Sequence, residues 1–125
     1  MKLLGNLIWL IFGGLVTALE YLAASMVLMA TIVGIPFGIQ TLKLAMITLM
    51  PFSFTVKEKK TPGGFLNLVM NVIWILVGGI WIFLTHVLFG LLLAVTIIGI
   101  PFAKQHFKLA VIALTPFGKE LIDKK

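Results

Sequence analysis

The chain contains no cysteine and no arginine, and only four acidic residues. Without cysteine there is no disulfide, no thiolate metal site and no thiol nucleophile. Two histidines, His86 and His106, have no acidic residue or second histidine at ligand spacing, so no metal site is expected. Ser25 and Ser53 have no base close by in sequence, which removes the hydroxyl-nucleophile reading. Gly63-Gly64 lacks the Lys-Ser/Thr that follows in a phosphate loop. No catalytic residue, no metal site and no cofactor site is therefore assigned, and the chain is not expected to be an enzyme.

What is present is apolar. Of 125 residues, 61% are hydrophobic, and the mean hydropathy is +1.18. A soluble domain of this size is nearer half apolar. All ten basic residues are lysines, and the net charge is +6. They sit at Lys2, Lys43, Lys104 and Lys108, in the middle segment 57–60 and in the tail 119–125. That placement suits interfacial anchoring on a lipid bilayer with anionic headgroups. Nucleic acid would suit the charge but not the hydropathy, and no nucleic-acid partner is expected. The N-terminal apolar run exceeds the roughly 7–15 residues of a signal-peptide core. It also recurs internally, so it is expected to be retained.

The recurrence is a repeat. Thr31-Ile32-Val33-Gly34-Ile35-Pro36-Phe37 returns 65 positions later as Thr96-Ile97-Ile98-Gly99-Ile100-Pro101-Phe102. Between Asn6 and Phe52, 21 of 47 positions are identical at this offset, without a gap. Matched pairs include Asn6/Asn71, Trp9/Trp74, Gly13/Gly78, Gly14/Gly79, Gln40/Gln105, Lys43/Lys108 and Pro51/Pro116. The division is 1–52 for the first repeat, 53–65 for a polar linker and 66–125 for the second, all in one membrane domain. Internal repeats are frequent among membrane transport proteins.

Each repeat opens with a 32-residue apolar segment, Leu3–Gly34 and Leu68–Gly99, whose only formal charge is Glu20. A continuous helix of that length would be about 48 Å long, whereas a bilayer core needs roughly 20 residues. Gly13-Gly14 and Gly78-Gly79 are either points of close helix packing or points where the helix breaks. The Gly-Ile-Pro element predicts a stop near Gly34 and a second helix from Pro36 to Pro51. Gln40 and Lys43 share one face of it, with Leu42, Ala45, Met46 and Leu49 on the other. Phe107, Ala110, Val111 and Leu114 form the matching apolar face in the second copy. The expected fold is all-α: two homologous repeats, each a long transmembrane helix, a Gly-Ile-Pro break and a short amphipathic or re-entrant helix. If that helix lies at the interface, Lys43, Lys104 and Lys108 are interfacial lysines. The two long spans are then antiparallel and the repeats inverted. If it re-enters, four segments result and the lysines move toward mid-membrane. The linker is expected to be solvated and the tail from Gly118 to fray.

Asn6, Thr17, Glu20 and Thr31 fall on one small-and-polar stripe of the first long helix. Asn71, Thr85 and Thr96 repeat part of it. The stripe is either a helix–helix seam or the lining of a permeation path. Glu20 and His86 each lie near the middle of their segments. An intramembrane carboxylate marks a functional hypothesis by default. Glu20 is expected to meet His86, or else to bond Tyr21 or a threonine. His106, beside Lys104 and Lys108, is expected at headgroup level. Trp9, Trp74 and Trp81 are expected to be interface anchors or packing residues.

The doubled module Asn-x-x-Trp-x-x-x-Gly-Gly, Thr-Ile-[Val/Ile]-Gly-Ile-Pro-Phe, Lys-Leu-Ala and Leu-x-Pro-Phe resembles the YccF family of bacterial inner-membrane component domains. The resemblance covers nearly the whole chain. It implies a multi-pass protein of the bacterial cytoplasmic membrane and supplies no catalytic residues. Two functions remain open. One is a homo-oligomer that forms or assists an ion or solute pathway, because two spans cannot enclose a pore. The other is a structural or accessory module packing on lipid or a partner membrane protein.

Overall fold

The computed structural model describes residues 2–58, 65–117 and 119–123. The chain is mostly helical. Helix α1 is Lys2–Trp9 and α2 is Leu15–Met29, joined by a wide π-type turn at Leu10–Gly14. Helix α3 is Ile35–Leu49. The second repeat copies the series as α4, Phe65–Trp74, a π-type turn at Ile75–Gly79, α5, Ile80–Ala94, and α6, Ile100–Leu114. The joined stretches Leu3–Met29 and Phe65–Ala94, of 27 and 30 residues, are long and apolar enough to cross a membrane.

The long helices stop at Met29 and Ala94, about a turn before the expected Gly34 and Gly99. The reason is local. Thr31 Oγ1 donates to Leu28 O and accepts from Gly34 N–H, at 2.9 and 3.0 Å. Thr96 does the same between Leu93 O and Gly99 N–H, both at 2.9 Å. These bonds close a tight turn with its polar groups satisfied internally. A Cβ at Gly34 or Gly99 would strike the carbonyl of Leu28 or Leu93. Pro36 and Pro101 then occupy the first turn of α3 and α6, where a missing N–H costs nothing.

Each Pro-started helix folds back antiparallel along its predecessor, α3 on α2 and α6 on α5. The sequence named an apolar and a polar face for it but no buried one, and of that apolar face only Ala45 and Ala110 are buried. In α3 the inward residues are Gly38, Thr41, Leu44, Ala45, Ile47 and Thr48, while Met46 is exposed. In α6 they include Ala103, His106, Leu109, Ala110 and Ala113, while Phe107 and Val111 face out. The buried hydroxyls bond backbone one turn back, as Thr48 does to Leu44 O at 2.8 Å, so polar residues can sit inward.

The expectation of an all-α chain with a fraying tail is corrected. Phe54–Glu58 forms strand β1 and Lys119–Asp123 forms strand β2, paired antiparallel from Phe54↔Asp123 to Glu58↔Lys119. Phe54 and Val56 alternate inward onto the core, and aromatic and β-branched side chains favour the extended backbone. The rest of the linker, 59–64, lies outside the described residues.

A pseudo-two-fold axis relates the repeats. Gly13 faces Phe89 and its equivalent Gly78 faces Ala24, which is the equivalent of Phe89. Ile8 and Phe12 line a cavity with Leu93, Thr96 and Gly99, and Met70, Ile73 and Val77 line one with Leu28, Thr31 and Gly34. The long segments are therefore antiparallel, each beginning beside the other's Thr-Ile-x-Gly turn. The ribbon obeys the same axis, since its central pair, Val56↔Leu121, is 65 residues apart. The ribbon thus lies level with the midpoint of the long helices, not at either end.

Candidate functional site

The repeated motif residues build the frame. Asn6 Nδ2 donates to Ser53 Oγ at 3.0 Å, and its Oδ1 accepts from Phe52 N at 3.1 Å. Asn71 repeats this on Phe117, donating to its carbonyl at 3.3 Å and accepting from its N–H at 2.9 Å. Trp9 and Trp74 are fully buried and donate Nε1 to Thr48 O at 2.5 Å and to Ala113 O at 2.8 Å. The second glycine of each pair, Gly14 and Gly79, leaves room for the indole five residues earlier. The first, Gly13 and Gly78, lets the opposite long helix approach. Both roles foreseen for the glycines occur, because Phe12 and Gly13 also leave helical geometry, with φ +115° at Gly13.

Other members of the polar stripe are similarly engaged. Thr17 Oγ1 bonds the carbonyls of Gly13 and Gly14 at 2.9 and 3.2 Å and thereby caps the distorted turn. Thr31 and Thr96 hold the two turns described above. The structure does not gather the stripe into one line. It does bring Glu20 to Thr85, its own repeat equivalent, whose Oγ1 donates to Glu20 Oε2 at 2.9 Å. Glu20 Oε1 is buried with no partner among the described residues. Beside it lies a groove of about 260 Å³, lined by Glu20, Ala23, Ala24, Val27, Gly78, Trp81 and neighbours. Trp81, unlike the other two tryptophans, is 63% exposed.

The expected Glu20–His86 contact does not form. His86 instead pairs with His106, Nδ1 to Nδ1 at 2.9 Å, and both rings are fully buried. The expectation of His106 at headgroup level is therefore also corrected. Its ring lies 4.0 Å from that of Trp9, centroid to centroid, and stacks on Phe89. His106 Nε2 lies 2.9 Å from Phe12 O, the carbonyl at the kink. A carbonyl only accepts, so this nitrogen carries a proton. With both rings neutral, His86 Nδ1–H then donates to His106 Nδ1, and His86 Nε2 is left as a buried acceptor without a partner. The cluster is specific to one half. Tyr21 stands at the position of His86 and Thr41 at that of His106. Tyr21 stacks on Trp74 at 6.0 Å as His86 stacks on Trp9 at 6.4 Å, and Thr41 bonds Ser25 Oγ at 2.5 Å. The sequence offered little signal for it, since these are two of the 26 positions (47 − 21) at which the copies differ between Asn6 and Phe52.

Lys43, Lys104 and Lys108 are exposed on α3 and α6. Gln40, three residues before Lys43, donates to the carbonyls of Pro116 and Lys119 at 3.2 and 2.7 Å and ties α3 to the foot of β2. Among the described residues no group of three or more His, Asp or Glu side chains could hold a metal ion.

Comparison with known proteins agrees with this doubled architecture. The family model for the YccF inner membrane component domain matches twice, over residues 4–53 and 69–119. The chain is 29% identical to the inner membrane protein YccF of Escherichia coli strain K12, over 98% of this chain and 88% of that one. The inner membrane protein YccF of Shigella flexneri matches with the same identity and coverage. No solved structure matches.

Proposed function

The chain belongs to the YccF family of bacterial inner-membrane component domains, and from that premise we propose that it serves as a non-conducting membrane module that packs against lipid or a partner membrane protein. One observation carries this reading. The polar residues that could have lined a path are engaged in holding the fold. Asn6 and Asn71 latch the chain segments after α3 and α6, Thr17 caps the kink, and Thr31 and Thr96 close the turns. What the bundle presents outward along α2 and α5 is a bare apolar surface, including Leu15, Leu19, Met26, Leu84, Leu88 and Leu91. Such a surface is at home in lipid or against another membrane helix.

A second reading, an oligomeric cation path, is favoured by one feature. Glu20 keeps an unpaired oxygen beside an open groove between the two long helices. Reconstitution separates the two. Purified protein in liposomes is expected to give no proton, sodium or potassium flux above protein-free vesicles. A flux that disappears in Glu20→Gln would overturn the packing reading in favour of conduction.

A further inference from the structure

The ribbon and the Thr-Ile-x-Gly turns are in the wrong places for a pair of helices that stand across a bilayer. If the membrane normal ran along the antiparallel long segments, the two turns would lie toward opposite headgroup regions. Yet they carry no charge, and their tips are bare apolar side chains: Ile32 is 87% exposed, Val33 70%, Ile97 88% and Ile98 84%. Their freed backbone groups are already bonded by Thr31 and Thr96, which is what a turn surrounded by hydrocarbon requires. In the same orientation the ribbon, level with the helix midpoints, would lie at the hydrocarbon centre. Five of its ten residues are charged: Lys57, Glu58, Lys119, Glu120 and Asp123. The register sets Lys57 opposite Glu120 and Glu58 opposite Lys119, but pairing does not repay the loss of water at that depth.

Turning the molecule by a right angle removes both conflicts. We propose that the pseudo-two-fold axis runs along the membrane normal, so that the protein is set into the membrane from its cytoplasmic side as a wedge, with the charged ribbon in water and both Thr-Ile-x-Gly turns within the lipid. The lysines follow the same division. Gln40 bonds the foot of the ribbon, so its edge of α3, which also carries Lys43, adjoins the charged face. Lys108 is the repeat equivalent of Lys43, so the pseudo-two-fold axis carries it to the matching edge of α6. With Lys57 and Lys119 of the ribbon, Lys43 and Lys108 form the basic surface that anionic headgroups and the positive-inside rule both favour on the cytoplasmic side. The kink at Phe12-Gly13 lets the first long segment change direction within the bilayer, and the wide turn at Ile75–Gly79 stands at the matching place in the second.

The absence of native cysteine makes the test direct. Single-cysteine variants Lys57→Cys, Ile32→Cys and Ile97→Cys replace exposed side chains, and folding is checked by gel filtration in detergent. Each is treated with a membrane-impermeant maleimide in intact spheroplasts and in inside-out vesicles. Lys57→Cys is expected to react in inside-out vesicles only. Ile32→Cys and Ile97→Cys are expected to react in neither until detergent is added. Labelling of Ile32→Cys from one side and Ile97→Cys from the other would establish two crossing spans and overturn the wedge. Reaction of either turn cysteine from a single side, or of Lys57→Cys from outside, overturns it as well.

Discussion

Gly13→Ala tests how the two halves were fitted together. Gly13 has φ +115° and ψ −17°, a backbone that costs a residue with a Cβ about 1–2 kcal/mol. An added Cβ would also stand 2.7 Å from Phe89 Cγ and 2.8 Å from His106 Cε1. Both are ring atoms in a packed interior, and overpacking there costs about 1–3 kcal/mol. The expected destabilisation is thus about 2–5 kcal/mol. Gly78→Ala is the internal control. Gly78 lacks the positive φ, but its added Cβ would stand 2.5 Å from Ala24 Cβ, an atom fixed to the backbone of the opposite helix. Its cost is the steric part alone, offset by about 1 kcal/mol of helix propensity. Titration of SDS into detergent-solubilised protein, followed by circular dichroism, measures both. A double-mutant cycle with Phe89→Ala separates the causes. Removing the Phe89 ring should relieve its share of the steric part in Gly13→Ala and leave the His106 contact and the backbone part. The reasoning fails if the coupling with Phe89→Ala accounts for the whole loss in Gly13→Ala.

Other consequences are simpler. Asn6→Ala and Asn71→Ala each remove a two-way latch and should each cost about 1–3 kcal/mol in the same titration, nearly additively because the sites are separate. Trp74→Phe leaves Ala113 O without its indole donor and should cost a similar amount, about 1–3 kcal/mol, seen as a lower unfolding midpoint. A Val56→Cys, Leu121→Cys pair should oxidise to an intramolecular disulfide, because facing Cα atoms in an antiparallel ribbon are about 4.5–5.5 Å apart and within bridging range. Unchanged mobility on a non-reducing gel would refute the register.

The sequence made the duplication legible because motif residues with fixed jobs stay put. Asn6, Trp9, Gly14 and Phe52 act on one another across the start and end of a repeat, so none can drift alone. The Gly-Ile-Pro break was equally legible, since proline and glycine act locally. Contacts between repeats were not. Nothing in β1 or β2 alone announces a strand partner 65 residues away, and both segments are short and charged enough to read as solvent loops. The inward faces of α3 and α6 were not legible for a related reason. In a helix buried on one side among membrane helices, threonine and histidine can face in while methionine and phenylalanine face lipid. Hydropathy alone then points the wrong way.

Where the two copies agree, they explain the architecture; where they differ, they mark the seam between them. Glu20 faces Thr85, and Ala24 stands where the other copy has Phe89. Tyr21 and Thr41 stand where it has His86 and His106. A symmetric dimer of one repeat would place two identical residues at each of these crossings. Two carboxylates would then meet at the axis, or two Phe89 rings would press on both glycine kinks. Fusion into one chain lets each crossing be complementary. A hydroxyl serves a carboxylate, and a small residue leaves a groove on one side while a ring fills the other. The groove beside Glu20 exists because position 24 is alanine, and the kink at Gly13 is occupied because position 89 is phenylalanine. Among these asymmetric positions, Glu20 and the buried histidine pair are the ones that carry carboxyl and imidazole side chains. Whatever distinguishes this protein from a plain duplicated scaffold is carried there.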